Sequence, residues 1–275
     1  MTGGSHAEAR SRSHAKARRR YGFLVLVLVA ALLLPLFAHA STRVPITIRG
    51  KALTLETYPP AGTPRGTVFM GSGDVGWVGL AVDLAEFLQK QGYFVVGINV
   101  RQYLASFTAG SDHVMPADIP GDLAAMAQVM RDRKTFWSPV IVAGVSEGAA
   151  IAVVAGSSKN NHGWITGVIT MGLPPTAELA WRWSDIGSWI TKKDPNEPEF
   201  EPRLYIGDVS PLPLYMIQST KDEYVREADY RMFESSARAP KRLVLIEASN
   251  HRFTDKLPEL RAQFLAGLAW ILEPK

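Results

Sequence analysis

The chain has 275 residues, 47% hydrophobic and 20% charged, a balance that excludes a wholly disordered protein and suits one large domain. Its net charge of +4 does not indicate nucleic-acid binding, because six basic residues and a single acidic one are concentrated in residues 1–40 and the remainder is almost neutral. We therefore expect no nucleic-acid partner. The absence of cysteine excludes disulfides and thiolate metal sites.

Residues 1–40 have the three parts of an export signal. A basic run ends at Arg20, an apolar stretch covers residues 21–37, and small residues precede Ser41. We predict a signal peptide cleaved before Ser41 and a protein exported to the periplasm. The alternative is that residues 21–37 remain as an inner-membrane anchor. Their length is at the lower limit of about 17 residues for a membrane span, and Pro35 near the end favours cleavage.

Short apolar runs alternate with segments whose apolar residues recur at helical spacing, and Gly or Pro separates many of them. In chain order, we predict an antiparallel hairpin over 43–58, then strands at 67–70, 93–99, 140–143, 165–171, 214–218 and 242–247, with helices at 77–91, 118–130, 147–155, 227–235 and 258–272. Strands that alternate with helices form a mainly parallel central sheet with helices on both faces. The predicted fold class is therefore α/β.

Residues 173–212 interrupt this alternation and are predicted to form a small cap-like insertion in a domain over 41–275. The insertion contains Trp181, Trp183 and Trp189, followed by a polar stretch rich in Pro and Glu. Two roles are open for the tryptophans. They could form a lid that contacts a membrane surface, where tryptophan is favoured, or they could pack the cap onto the domain.

The turn centred on Ser146 carries the strongest chemical signal. The segment Gly144-Val145-Ser146-Glu147-Gly148 follows an apolar strand and precedes a predicted helix. A serine at such a strained strand-to-helix turn needs small residues two positions away on either side, and Gly144 and Gly148 meet that need. The pattern predicts Ser146 as a nucleophile on an α/β-hydrolase fold. The alternative is an ordinary turn built from small residues.

A serine nucleophile needs a general base, most often an imidazole. Three of the six histidines lie in the predicted leader, and His162 lies in a polar connection from a helix to a strand, which belongs at the opposite end of the sheet. His251 follows the last predicted strand, at the end where α/β sheets build their sites. We predict His251 as the base. His113, in an irregular loop, is the alternative.

The acid that orients the base is predicted at the carboxyl end of the strand over 214–218. Asp222 lies there, between the serine and the histidine in the sequence, which is the chain order of this fold. The adjacent Glu223 is the alternative.

The oxyanion formed from an ester carbonyl needs two backbone amide donors. One is predicted at Glu147, directly after the nucleophile, and the other at Gly73 or Asp74, in the loop after the strand over 67–70. Asp74 could also cap the helix that follows. These residues predict an esterase that needs no cofactor and no metal. A non-catalytic periplasmic binding or secretion-accessory protein on the same fold is the alternative function.

Three further segments carry a family resemblance. Residues 71–77 read GSGDVGW, residues 94–99 read FVVGIN, and residues 101–103 read RQY. Together they resemble bacterial virulence proteins of the VirJ and AcvB type, over most of residues 66–150 and more weakly through Asp222 and His251. The resemblance implies an exported α/β-hydrolase-like protein that hydrolyses aminoacylated phosphatidylglycerol, notably the lysyl form. It therefore implies a lipid ester substrate at a membrane surface.

Two positions differ from that family pattern. Val75 stands where a glycine is usual, and Glu147 stands where an aromatic residue commonly follows the serine.

Overall fold

The computed structural model describes residues 41–182 and 197–273. The predicted signal peptide or anchor, together with Trp183 and Trp189, lies outside the described residues. The strands are β1 (Thr42–Ile48), β2 (Lys51–Tyr58), β3 (Thr67–Gly71), β4 (Phe94–Ile98), β5 (Val140–Val145), β6 (Gly167–Met171), β7 (Ala177–Glu178), β8 (Glu199–Phe200), β9 (Leu214–Ser219) and β10 (Lys241–Ile246). The α-helices are α1 (Leu80–Lys90), α2 (Val100–Phe107), α3 (Ile119–Asp132), α4 (Glu147–Ser157), α5 (Arg203–Ile206), α6 (Glu227–Ser236) and α7 (Leu257–Leu272).

Eight of these strands form one sheet in the order β1-β2-β4-β3-β5-β6-β9-β10. The pairs β1–β2 and β2–β4 are antiparallel, and every neighbouring pair from β4 to β10 is parallel. The predicted mainly parallel sheet with an N-terminal antiparallel hairpin is therefore confirmed. Parallel strands bring their carboxyl ends to one edge of the sheet, and the loops after β3, β5, β6, β9 and β10 meet at that edge.

Both faces of the sheet are buried, as β5 shows. Val140 and Val142 belong to the apolar cluster on one face, while Ile141, Ala143 and Val145 belong to the cluster on the other. Helices α2, α3, α4 and α6 contribute to the first cluster, and α1 and α7 contribute to the second. A strand covered on both sides reads as a continuous apolar run, which is why β5 showed no alternation in the sequence.

Three helices differ clearly from the sequence prediction, and one of them is the short α5, which was not predicted within the insertion. Helix α1 begins at Leu80, three residues later than predicted, so Asp74 lies too far upstream to cap it and that alternative is wrong. Helix α2 was not predicted. Asn99 caps this helix, since its side chain accepts a hydrogen bond of 3.1 Å from the amide of Gln102. Asparagine is a favoured residue at a helix start, so the sequence did contain a signal for this helix.

The described parts of the insertion pack on the domain. The short strands β7 and β8 pair antiparallel. Trp181 is buried, its amide donates to the hydroxyl of Thr108, and the guanidinium carbon of Arg101 lies 4.1 Å from its ring centre. Trp181 therefore packs the described part of the insertion onto the core. Within the described residues, no helix is long and apolar enough to cross a membrane.

Candidate active site

Ser146 stands at the junction of β5 and α4 in a conformation that non-glycine residues rarely adopt. Its backbone angles are φ 53° and ψ −122°, and its amide donates a 3.0 Å hydrogen bond to the carbonyl of Met171 at the end of β6. Strain of this kind costs on the order of 1–3 kcal/mol and persists only where the surroundings enforce it. The turn presents the serine at the carboxyl edge of the sheet, directly before the N-terminus of α4.

The flanking glycines are required by backbone packing. A Cβ atom at Gly144 would lie 2.0 Å from the carbonyl oxygen of Gly148. A Cβ atom at Gly148 would lie 2.5 Å from the carbonyl carbon and oxygen of Gly71 at the end of β3. No side chain fits at either position, so the start of α4 lies directly against the loop that follows β3.

His251 lies on the loop after β10 and reaches over the end of β6. A Cβ atom at Gly172 would be 2.7 Å from its Cε1 atom, so the imidazole rests directly on that glycine. Gly172 directly follows Met171, whose carbonyl accepts the hydrogen bond from the amide of Ser146. These contacts place the imidazole and the serine above the ends of neighbouring strands.

A buried carboxylate holds the imidazole. The Nδ1 atom of His251 lies 2.6 Å from Oδ2 of Asp222, and the two side chains are 8% and 0% exposed. The other oxygen of Asp222 accepts hydrogen bonds from the amides of Tyr224 and Val225, which fix the carboxylate in the loop after β9. A carboxylate on Nδ1 leaves Nε2 as the ring nitrogen available for proton transfer.

Glu223 has a different contact from Asp222. Its Oε2 accepts a 2.8 Å hydrogen bond from the backbone amide of His251 and does not hold the ring. The two adjacent acids therefore hold His251 at two points, one at the imidazole and one at the backbone.

Opposing effects act on the pKa of His251. Burial lowers it, but the hydrogen bond and the charge of Asp222, with the charges of Glu147 and Glu223, outweigh burial and raise the pKa above the ordinary 6.5. The site therefore stabilises an imidazolium.

One of the predicted oxyanion donors, the backbone amide of Asp74, already forms a hydrogen bond with a side chain of the protein. The amide of Asp74 donates a 3.1 Å hydrogen bond to Oε2 of Glu147. Burial and the charge of Asp74 raise the pKa of Glu147 above its ordinary 4.5, while hydrogen bonds from the Ser146 hydroxyl and from the amides of Glu147 and Asp74 oppose that rise. Sequence reasoning placed the backbone of Glu147 here but did not foresee the position of its carboxylate.

The two other histidines that the structure describes lie outside this group. His113 is in the loop between α2 and α3, where its Nδ1 lies 3.1 Å from the carbonyl of Ser111. His162 follows α4, and its Nε2 lies 2.9 Å from the carbonyl of Gly156. Neither has a contact with Ser146 among the described residues.

Two residues at the site were missed by sequence reasoning. Gly172 supports the imidazole, and a glycine directly after a buried strand could have indicated a close contact. Tyr224 packs edge-on against His251 with ring centres 5.3 Å apart, although it is 65% exposed. Nothing in the sequence distinguished this tyrosine from other loop aromatics.

The serine and the imidazole lie over the ends of neighbouring strands, but within the described ranges no hydrogen bond joins the Ser146 hydroxyl to His251. Such bonds are often long in structures without substrate. A serine before a helix N-terminus, an imidazole held through Nδ1 and a buried acid can together activate a hydroxyl group as a nucleophile.

Comparison with known proteins agrees with this architecture. The family model "Bacterial virulence protein (VirJ)" matches residues 66–256. No curated protein matches the chain.

Three solved structures described as hydrolytic enzymes have the same fold as this chain. An α/β serine hydrolase without a lid from Xanthomonas campestris is 20% identical, with a TM-score of 0.58 over 88% of this chain and 99% of that one. The Pyrococcus furiosus esterase Pf2001 is 19% identical, with a TM-score of 0.62 over 85% of this chain and 91% of that one. A membrane phospholipase A, described as a bacterial virulence factor, is 12% identical, with a TM-score of 0.61 over 94% of this chain and 100% of that one.

At these identities the structural similarity establishes the fold and not the activity. The family match covers more than half of the sequence and includes Ser146, Asp222 and His251. The chain therefore belongs to the VirJ family of bacterial virulence proteins and has the α/β-hydrolase fold.

Proposed function

We propose that this VirJ-family protein is a serine hydrolase that cleaves an ester bond. The observation that carries the proposal is the 2.6 Å hydrogen bond between His251 and the buried Asp222, made by an imidazole that rests on Gly172 beside the serine turn. A histidine held through Nδ1 by a buried acid presents Nε2 for proton transfer, which is the role a general base needs.

In the proposed reaction, Oγ of Ser146 attacks the ester carbonyl carbon while Nε2 of His251 takes the hydroxyl proton. The carbonyl oxygen becomes an oxyanion, and the amides of Asp74 and Glu147 would stabilise it. Collapse of this intermediate breaks the carbon–oxygen bond, and the leaving alcohol receives the proton from the imidazolium. Water then attacks the acyl-serine by the same route, which releases the acid and restores Ser146.

The charge environment supports this sequence of steps. The raised pKa of His251, to which Asp222 contributes most among the groups that raise it, favours the imidazolium formed during each proton transfer. Burial of the imidazole and of the Asp222 side chain strengthens their interaction, because water screens it less.

A fluorophosphonate probe tests the nucleophile directly, because it forms a covalent bond only with an activated serine. The probe should label the wild-type protein and fail to label Ser146→Ala. Ser157→Ala, at the opposite end of α4, is the matched control and should be labelled like the wild type. Undiminished labelling of Ser146→Ala would exclude Ser146 as the nucleophile.

The narrower substrate proposal is a lipid ester, with aminoacylated phosphatidylglycerol as the specific candidate. Family membership supports it, since the resemblance to VirJ and AcvB proteins implies that substrate. The similar fold of a phospholipase is also compatible with a lipid substrate. Purified protein incubated with lysyl-phosphatidylglycerol should release lysine, and Ser146→Ala should not. Hydrolysis of simple esters without release of lysine would reject this substrate and keep the hydrolase assignment.

We further propose that the protein acts in the periplasm after export. The support is the basic, apolar and small-residue pattern of residues 1–40. Inhibition of signal peptidase should cause a longer form to accumulate. A band of unchanged size that requires detergent for extraction would instead show an anchor.

A further inference from the structure

The carboxylate of Glu147 lies at the position where the reaction needs open space. Its Oε2 atom accepts the 3.1 Å hydrogen bond from the amide of Asp74. A Cβ atom at Gly73 would meet the Cβ of Ser146 at 3.4 Å and the same Oε2 of Glu147 at 3.7 Å. The carboxylate and the serine side chain therefore face the same small volume above Gly73.

Three groups act on this carboxylate. The amide of Asp74 donates a hydrogen bond to it, and the hydroxyl of Ser146 and the amide of Glu147 also favour its charged form. The two amides are also the donors that the proposed mechanism assigns to the oxyanion. We call the space bounded by these three groups the oxyanion pocket.

A carboxylate oxygen and a tetrahedral oxyanion have the same requirements. Both are negatively charged oxygens that accept short hydrogen bonds from backbone amides. They cannot occupy the oxyanion pocket together, because like charges at contact distance in a partly buried site repel each other strongly.

The carboxylate of Glu147 has no ion-pair partner in the part of the chain that the structure describes. Among residues 41–182 and 197–273, no Lys, Arg or His side chain forms an ion pair with Glu147. The charge of Asp74 and burial both act against the carboxylate. Among the described residues, hydrogen bonds and not an ion pair therefore hold the carboxylate, and the side chain has rotatable bonds through which it can leave.

We propose that the carboxylate of Glu147 occupies the oxyanion pocket of the resting protein and that the substrate carbonyl oxygen has to displace it. Glu147 is then a built-in competitor of the substrate, and its backbone amide becomes a full oxyanion donor only after its own side chain moves away. This inference rests on the proposed role of Ser146 and extends it.

The rate of fluorophosphonate labelling tests the proposal, because the phosphonyl oxygen of the probe must enter the same pocket. In Glu147→Ala the backbone donors remain and the competitor is removed, so the second-order rate constant should rise at least about tenfold. Glu147→Gln keeps the side-chain volume without the charge and should show a smaller rise. If Glu147→Ala does not fold, the labelling rate constant of Glu147→Gln still tests the proposal.

One side effect has to be separated from displacement. The charge of Glu147 also raises the pKa of His251, so its removal leaves more neutral imidazole near neutral pH. Rate constants should therefore be compared on the alkaline plateau of each variant's pH profile, where the imidazole is neutral. Glu223→Gln is the matched control. This variant also removes an acid that raises the pKa of His251, but that acid lies outside the oxyanion pocket. Its plateau rate constant should therefore not exceed that of the wild type.

Acetate provides a second readout. If the pocket of Glu147→Ala is open, added acetate should occupy it and slow labelling of this variant, while the wild type should be insensitive. Equal plateau rates for wild type and Glu147→Ala, or an equal rise in Glu223→Gln, would overturn the competitor proposal. Loss of labelling in Ser146→Ala alongside such a result would leave the hydrolase proposal intact. Retained labelling in Ser146→Ala would reject the proposed function itself.

Discussion

The imidazole of His251 and the carboxylate of Asp222 are joined by a 2.6 Å hydrogen bond at the meeting point of two loops, although the residues are separated by 29 positions in the chain. Asp222 follows β9 and His251 follows β10, and these strands are parallel neighbours at one end of the sheet. The pairing of the strands therefore brings the two side chains together.

Replacement of Asp222 by asparagine should lower the rate of fluorophosphonate labelling by about 10⁴-fold, because the amide keeps the shape but can hold the imidazole in the wrong tautomer. Glu223→Gln is the comparison, since Glu223 contacts only the backbone of His251. Loss of one such hydrogen bond is worth about 1 kcal/mol, so this variant should lose no more than about tenfold. Equal losses in the two variants would contradict the division of roles.

The rate of labelling should depend on pH through His251. Only the neutral imidazole accepts a proton, and the pKa of His251 is raised above 6.5, so the rate should rise with pH, reach its half-maximum above pH 6.5 and level off at alkaline pH. Removal of the negative charge in Glu147→Gln destabilises the imidazolium and should move the midpoint to lower pH. A midpoint below 6.5 in the wild type would count against this assignment.

Gly172→Ala should reduce activity through the imidazole. The added Cβ would lie 2.7 Å from the ring of His251, and the backbone φ of 59° is itself unfavourable for alanine. We expect labelling to fall at least about tenfold, because small displacements of reacting groups have large effects on rate.

Gly110→Ala is a control that introduces the same backbone strain as Gly172→Ala without the clash with His251. Gly110 also has φ 59°, but a Cβ atom there would meet nothing within 4 Å. Both variants should lose about 1 kcal/mol of unfolding free energy from the left-handed conformation, as measured by urea unfolding. Only Gly172→Ala should also lose activity, and a similar loss in Gly110→Ala would attribute the effect to strain alone.

Gly144→Ala should destabilise the fold at the serine turn. Its Cβ would lie 2.0 Å from the backbone oxygen of Gly148, and a backbone atom at the start of α4 cannot move away cheaply. We expect a loss of about 3 kcal/mol or more in the free energy of unfolding. Gly121 lies on α3, and a Cβ atom there would meet no atom within 4 Å. Gly121→Ala should therefore raise the free energy of unfolding by up to about 1 kcal/mol. Unchanged stability in Gly144→Ala would show that the turn can open.

Much of the fold could be predicted because its signals are local. The buried run of β5 and the helical spacing of α7 depend on residues that are neighbours in the chain, and each was predicted near its observed limits. Helix α2 is not predicted although Asn99 caps it, because a helix of eight residues directly after β4 gives little periodic signal in the sequence. The start of α1 was misplaced because Trp77 and Val78 continue its apolar spacing before Gly79 ends the loop.

The chain by itself determined that a serine turn, an acid and a histidine would follow three parallel strands, since strand order and strand direction place such loops at one edge of the sheet. Only the tertiary structure decided that Asp222 meets the imidazole while Glu223 meets the backbone, that Gly172 supports the ring, and that the carboxylate of Glu147 accepts a hydrogen bond from the amide of Asp74. The physical reason is that a side chain's direction is set by contacts with residues far away in the sequence. Neither spacing nor residue type records those contacts.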